Sequence, residues 1–260
     1  MKNQSNSSLN SPRTILITGG GTGIGKAVAE RFLAAGDRIV INGRRADVLE
    51  ATCKSLDPSG ERMAFVAGDI AKRTTAEALV QKAVDTFGGV DVLVNNAGVF
   101  TPLSFEEHGD DDFDRYMDII LRGTFHTSQA ALVALKASKG SIVNVGSMWA
   151  EKAVALTPSS AYSAAKAGVH ALTRNLAIEL APAGVRVNAV APAVVETPVY
   201  ESFISKEELP GVMESFHDFH PLGRNGQADD VAAAIEFLAS PGAGFITGTI
   251  LPVDGGVLAS

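Results

Sequence analysis

Residues Ile15–Phe32 read ILITGGGTGIGKAVAERF. A short apolar run stops at glycines, and apolar Val28, Phe32 and Leu33 then recur at helical spacing. That pattern is a buried strand, a tight turn and a helix. Two phosphate loops compete for the glycines. Read from Gly20, the letters GGTGIGKA nearly match the triphosphate loop GxxxxGK[ST]. That loop needs a hydroxyl after its lysine to bind magnesium, and Ala27 stands there. No strand ends in an obvious acidic residue to hold the metal either. Read from Gly19, the spacing is GxxxGxG, with Gly19, Gly23 and Gly25. Glycines there let the backbone turn tightly and approach a pyrophosphate. The helix opening near Gly23 aims its free N–H groups and positive dipole end at that group. The loop therefore predicts a dinucleotide site.

The pattern continues outward through the 260-residue chain. Strands are expected at 14–18, 38–42, 63–67, 90–94, 141–145, 185–190 and 249–253. Helices are expected at 25–35, 46–56, 75–87, 112–137, 161–180 and 228–238. Alternation at these lengths implies right-handed crossovers. The predicted fold is α/β, a doubly wound Rossmann-type parallel sheet of seven strands with helices on both faces. No repeat or linker divides 13–260, so one domain is expected. The stretch 193–226 lacks strong periodicity and reads as a substrate lid. Residues 1–12, MKNQSNSSLNSP, are polar and read as a disordered tail without a signal peptide's apolar core.

Net charge is −7 with no basic run, which argues against nucleic acid. No apolar run is long enough to span a bilayer. Cys53 is the only cysteine, which fits a reducing, cytoplasmic setting. The five histidines show no metal-ligand spacing, and no metal is expected. The run Gly109–Asp112 reads as a helix N-terminus, where negative charge is favourable. Trp149 reads equally as pocket wall or as packing.

Chemistry is suggested by Tyr162 and Lys166. Four apart on a helix, they share a face. A free tyrosine is a poor acid near neutrality, and a neighbouring ammonium lowers its pKa. The order Thr18-Gly19-xxx-Gly23-Ile24-Gly25, Asn95-Asn96-Ala97-Gly98, Tyr162-xxx-Lys166 and Pro192-Ala-Val-Val-Glu-Thr197 resembles the short-chain dehydrogenase/reductase family across 13–256. The resemblance implies hydride transfer between a nicotinamide and a carbonyl/alcohol pair. The substrate would be a 3-oxoacyl thioester, a ketone, a sugar or a polyol. It implies that Tyr162 exchanges the proton, Lys166 holds the nicotinamide ribose, and Ser147 orients the substrate oxygen. It places Thr22 and Ile24 in the phosphate loop, Asp69 and Ile70 near the adenine, and Asn96, Ala97 and Gly98 along the adenosine. Pro192, Val195 and Thr197 would meet the nicotinamide carboxamide and phosphates. It also implies a homotetramer, or a dimer, built on the long helix and the Tyr/Lys helix.

Three departures stand out. The usual Ser-Ser pair is Gly146-Ser147, and Ala193 replaces a glycine after Pro192. The family asparagine in a pattern like N-L-x-G-T-F is Ile120. An isoleucine has no polar group for the family's water relay. This leaves a second reading, a cofactor-binding regulatory protein with weak turnover. If the chain is an enzyme, Ile120→Asn is expected to preserve or raise turnover. For the cofactor, the acidic residue that NAD enzymes carry at the second strand's end is replaced by Gly43, and Arg44 and Arg45 follow. A guanidinium suits the extra phosphate of NADP, so NADP(H) is favoured over NAD(H).

Overall fold

The structure is a computed structural model that describes residues 12–260; the expected tail lies outside them, except for Pro12. Its strands are β1 (Thr14–Thr18), β2 (Arg38–Gly43), β3 (Met63–Ala67), β4 (Val92–Asn95), β5 (Ser141–Val145) and β6 (Arg186–Pro192). They continue with β7 (Val195–Glu196), β8 (Gly226–Gln227) and β9 (Ile250–Val253). The helices are α1 (Gly23–Ala34), α2 (Ala46–Leu56), α3 (Arg73–Phe87), α4 (Asp110–Tyr116), α5 (Gly123–Ser138), α6 (Ser160–Leu180), α7 (Leu209–Ser215) and α8 (Ala228–Ala239).

Seven strands form one parallel sheet in the order β3-β2-β1-β4-β5-β6-β9. The strand period of two sorts apolar side chains onto its two faces. Ile15, Ile17, Ile39 and Ile41 pack with α1, α2 and α8. Leu16, Val40, Leu93 and Ile142 pack on the other face, with α3, α5 and α6. Both faces are covered, which is why these strands are continuous hydrophobic runs. The order reverses direction at β1 and β4, where the crevice of a doubly wound sheet opens. Among the described residues no helix is long and apolar enough to cross a membrane.

The expected helix 112–137 is not one regular helix. Between α4 and α5 lies a π-helical turn, Met117–Arg122, in which Gly123 N–H donates to Asp118 C=O. The Thr124 and Thr127 hydroxyls donate to the Ile120 and Gly123 carbonyls, both at 2.7 Å. Threonine back-bonding of this kind eases departures from the regular ladder. At the start of α4, the Asp112 carboxylate accepts the Gly109 N–H at 3.2 Å, the expected use of this acidic run.

The stretch 193–226 is more ordered than its sequence pattern suggests. It contains α7, and its ends are joined where β7 pairs with β8, Val195 beside Gly226. Glu196 accepts from the side-chain amides of Asn225 at 3.2 Å and Gln227 at 3.0 Å. These bonds hold its carboxyl below the usual range.

Candidate active site

The C-terminal ends of β1, β2, β4, β5 and β6 open into a cleft of about 710 Å³. One end is the glycine turn. Gly19 (φ +66°) and Gly23 (φ +54°) occupy the left-handed region that favours glycine. A Cβ on Gly19 would lie 2.9 Å from Asn96 Nδ2. The α1 N-terminus has no side-chain cap and no acidic residue in its first turn, so its positive end is left for a ligand. An anionic pyrophosphate fits that cradle.

Every residue the sequence assigns to the site borders the cleft except Gly25. Gly25 is buried behind the wall, where a Cβ would come within 2.3 Å of the Gly19 carbonyl oxygen. Its part is to let α1 close on the turn. Asn96 borders the cleft, but its amide is spent on the scaffold, donating to Thr18 C=O at 2.9 Å and Gly19 C=O at 3.1 Å. The Thr18 hydroxyl accepts the Asn96 and Ala97 N–H groups. These bonds hold the β1 and β4 ends at one separation. Arg44 and Arg45 are exposed on the rim beside Asp69 and Ile70.

The other end holds Ser147, Tyr162 and Lys166. Ser147 leaves β5 with an extended backbone, and its hydroxyl accepts the Trp149 N–H at 3.2 Å. Tyr162 and Lys166 stand one turn apart on α6. The Lys166 Nζ donates to Val145 C=O at 2.6 Å and sits 5.7 Å from the Tyr162 ring centroid. The expected lowering of the tyrosine pKa is not found. Burial pushes Tyr162 up to about 12, partly offset by a hydrogen bond with Ser147. Burial also pulls Lys166 down to about 8. Desolvation therefore dominates both groups.

Behind Ser147 stands His170, which is buried. Its Nε2 accepts the Ser147 N–H at 3.4 Å, and its Nδ1 lies 3.3 Å from Glu151. Burial, with Lys166 and Arg174 nearby, lowers its pKa to about 4. Glu151 is half-exposed and screened by solvent, so the imidazole stays neutral at pH 7.

The sequence reading missed Phe100, Arg115 and Ile119, which also border the cleft, and held Tyr200 only as part of the stretch 193–226. Arg115 and Ile119 are four apart, and Ile119 is adjacent to the flagged Ile120, so helical spacing could have found them. Ile120 itself is buried against Tyr116, Ala161, Ala165 and Val169. Trp149 does both jobs once read as alternatives, being buried and part of the cleft wall. Among the described residues no cluster of three His, Cys, Asp or Glu is placed to hold a metal ion.

The glycine turn with the open α1 N-terminus thus lies at one end of the crevice, and Ser147, Tyr162 and Lys166 lie at the other. The model of a family described as enoyl-(acyl carrier protein) reductase matches residues 19–258. A subunit of (2S)-[(R)-hydroxy(phenyl)methyl]succinyl-CoA dehydrogenase from Thauera aromatica is 37% identical, covering 94% of this chain and 96% of its own. A short-chain dehydrogenase/reductase structure from Brucella melitensis aligns with TM-score 0.86 and 38% identity, covering 94% and 96% of the two chains. The structure of ElxO with NADP bound aligns with TM-score 0.87 and 33% identity, covering 96% and 100%. The chain belongs to the short-chain dehydrogenase/reductase family. It is an oxidoreductase of CH–OH and C=O groups, and NAD(P) is the cofactor typical of the family. The regulatory reading is thereby set aside.

Proposed function

We propose that the protein interconverts a ketone or aldehyde and its alcohol with NADP(H), using Ser147, Tyr162 and Lys166. The observation that carries this reading is the convergence of those three side chains at the cleft end opposite the uncapped α1 N-terminus. When bound, the nicotinamide supplies or accepts the hydride. Ser147 donates a hydrogen bond to the substrate oxygen and fixes its position. Tyr162 gives its proton to that oxygen during reduction and takes it back during oxidation. Lys166, already held by Val145 C=O, keeps its ammonium beside the Tyr162 ring and is placed for the nicotinamide ribose. Its positive charge favours the phenolate that forms when the proton leaves.

Preference for NADP(H) rests on β2. At Gly43 a Cβ would crowd Leu49 at 3.2 Å, so the site where NAD enzymes carry a carboxylate is tight as well as empty of one. Arg44 and Arg45 supply guanidinium groups at the rim for the 2′-phosphate. We also propose that 13–260 is one catalytic unit, that 193–226 closes over substrate about the β7–β8 clasp, and that the molecule is a homotetramer. The experiment is NADPH and NADH oxidation with a carbonyl panel, wild type against Tyr162→Phe. Loss of turnover in the variant supports the mechanism, and undiminished turnover refutes it. Equal use of NADH refutes the assignment to the arginines.

A further inference from the structure

The chemistry above leaves the substrate's body open, and the walls around Tyr162 narrow it. Phe100 is the hub of an aromatic cluster. Its ring centroid lies 5.0 Å from Tyr162, 6.0 Å from Trp149 and 5.9 Å from Phe203. Behind these rings Met148, Val194, Tyr200 and Met213 form an apolar backing drawn from the lid and the loop after β5.

Several polar groups around these rings are engaged elsewhere, while the exposed side chains of Arg115 and Glu201 also border the cleft. Trp149 Nε1 donates to the Thr157 hydroxyl at 2.9 Å. The Tyr116 hydroxyl donates to Thr101 C=O at 2.8 Å. Glu151 turns to His170 at 3.3 Å, and Lys152 donates to Val257 C=O at 2.9 Å. The Tyr200 hydroxyl is paired with the Val195 backbone. The Ser147 and Tyr162 hydroxyls belong to the reacting oxygen. A polyol laid against the Phe100 and Trp149 rings would leave the hydroxyls that face them unpaired, each at a cost of about 1–3 kcal/mol. The lid's charge speaks against a thioester on an anionic carrier. Between Pro198 and Pro221 it has Glu201, Glu207, Glu208, Glu214 and Asp218 against Lys206 alone. Glu201 borders the cleft itself, so like charges would meet there.

We infer that the substrate is an uncharged apolar cyclic or aryl ketone, or its secondary alcohol, with its ring against Phe100 and Trp149. This rests on the oxidoreductase reading above. The test is steady-state NADPH oxidation with 1-tetralone and acetophenone, glucose and xylose, and acetoacetyl-CoA, with the reverse reaction on the matching alcohols. The ketones are expected to give kcat/KM at least tenfold above the sugars and the thioester. Phe100→Ala is expected to raise KM for 1-tetralone roughly tenfold, with KM for NADPH unchanged and Phe100→Leu intermediate. Better turnover of a sugar or the thioester overturns the substrate class and leaves the oxidoreductase reading standing. An unchanged 1-tetralone KM in Phe100→Ala overturns the ring contact. No turnover in any class, in either direction, overturns the oxidoreductase reading itself.

Discussion

A side chain at position 146 would collide with His170. A Cβ on Gly146 would lie 2.1 Å from His170 Nε2. The histidine fills the space that the family's usual serine would take. Gly146→Ser alone is therefore expected to destabilise the protein by about 1–3 kcal/mol through overpacking. In His170→Ala the same change should cost much less. A denaturation cycle over the four variants checks this, and strictly additive effects would sink the clash argument. Lys166 gives a second residue-scale test. Burial lowers its pKa to about 8, so the folded state holds its proton less well than the unfolded chain does. Stability should then rise with pH from about 8 to about 10.4, the ordinary lysine value. Lys166→Met should stabilise the cofactor-free protein at pH 7 by about 2–4 kcal/mol, with the gain fading toward pH 10.4. Melting curves across that range decide it: a difference flat with pH would show that Lys166 does not carry the effect. Tyr162 and Lys166 could be set on one helix face by their fixed spacing, and Ser147 at the end of a strand, which is how the three come to border one cleft. His170 was not legible, since its meaning comes from a contact with a glycine 24 positions earlier.

The strands were legible because continuous apolar runs bounded by glycines have few other uses, and β1 and α2 match their expected limits. The π turn was not, because no sequence period encodes a single wider turn. It changes the outlook for Ile120. Sequence alone predicts that asparagine there preserves or raises turnover. The structure packs that side chain between Tyr116 and α6 in apolar surroundings, 1% exposed. Ile120→Asn is now expected to cost about 1–3 kcal/mol from an unpaired buried amide. Denaturant unfolding with parallel kcat measurements tests the revision. An Ile120→Asn protein as stable as wild type would mean that the amide finds partners and that the relay could be restored. The pairing of the two ends of 193–226 was equally hidden in the sequence, because a two-residue pairing such as β7 with β8 leaves no periodic trace.

At the scale of the whole molecule, the helix that carries Tyr162 and Lys166 also borders an exposed apolar surface. Met117 and Leu121 on the π turn, Phe125 on α5 and Gly168 and Leu172 on α6 border a shallow groove, with Arg122 and Asn175 beside them. Phe125 is 46% exposed. Net charge of −7 keeps copies apart over most of the surface, so a contact between copies needs an apolar face of this kind. The proposed homotetramer would bury it. Because Tyr162 and Lys166 lie on α6 beside the groove, pairing there would also stiffen the helix that aims them. Phe125→Lys places a charge in the contact, and burying it without a partner is costly. The variant should sediment as dimers or monomers at concentrations where the wild type is tetrameric, and its kcat should fall with assembly while its fold by circular dichroism is kept. A wild type that sediments as a monomer would remove the assembly proposal. A fully assembled Phe125→Lys tetramer would move the interface to another face.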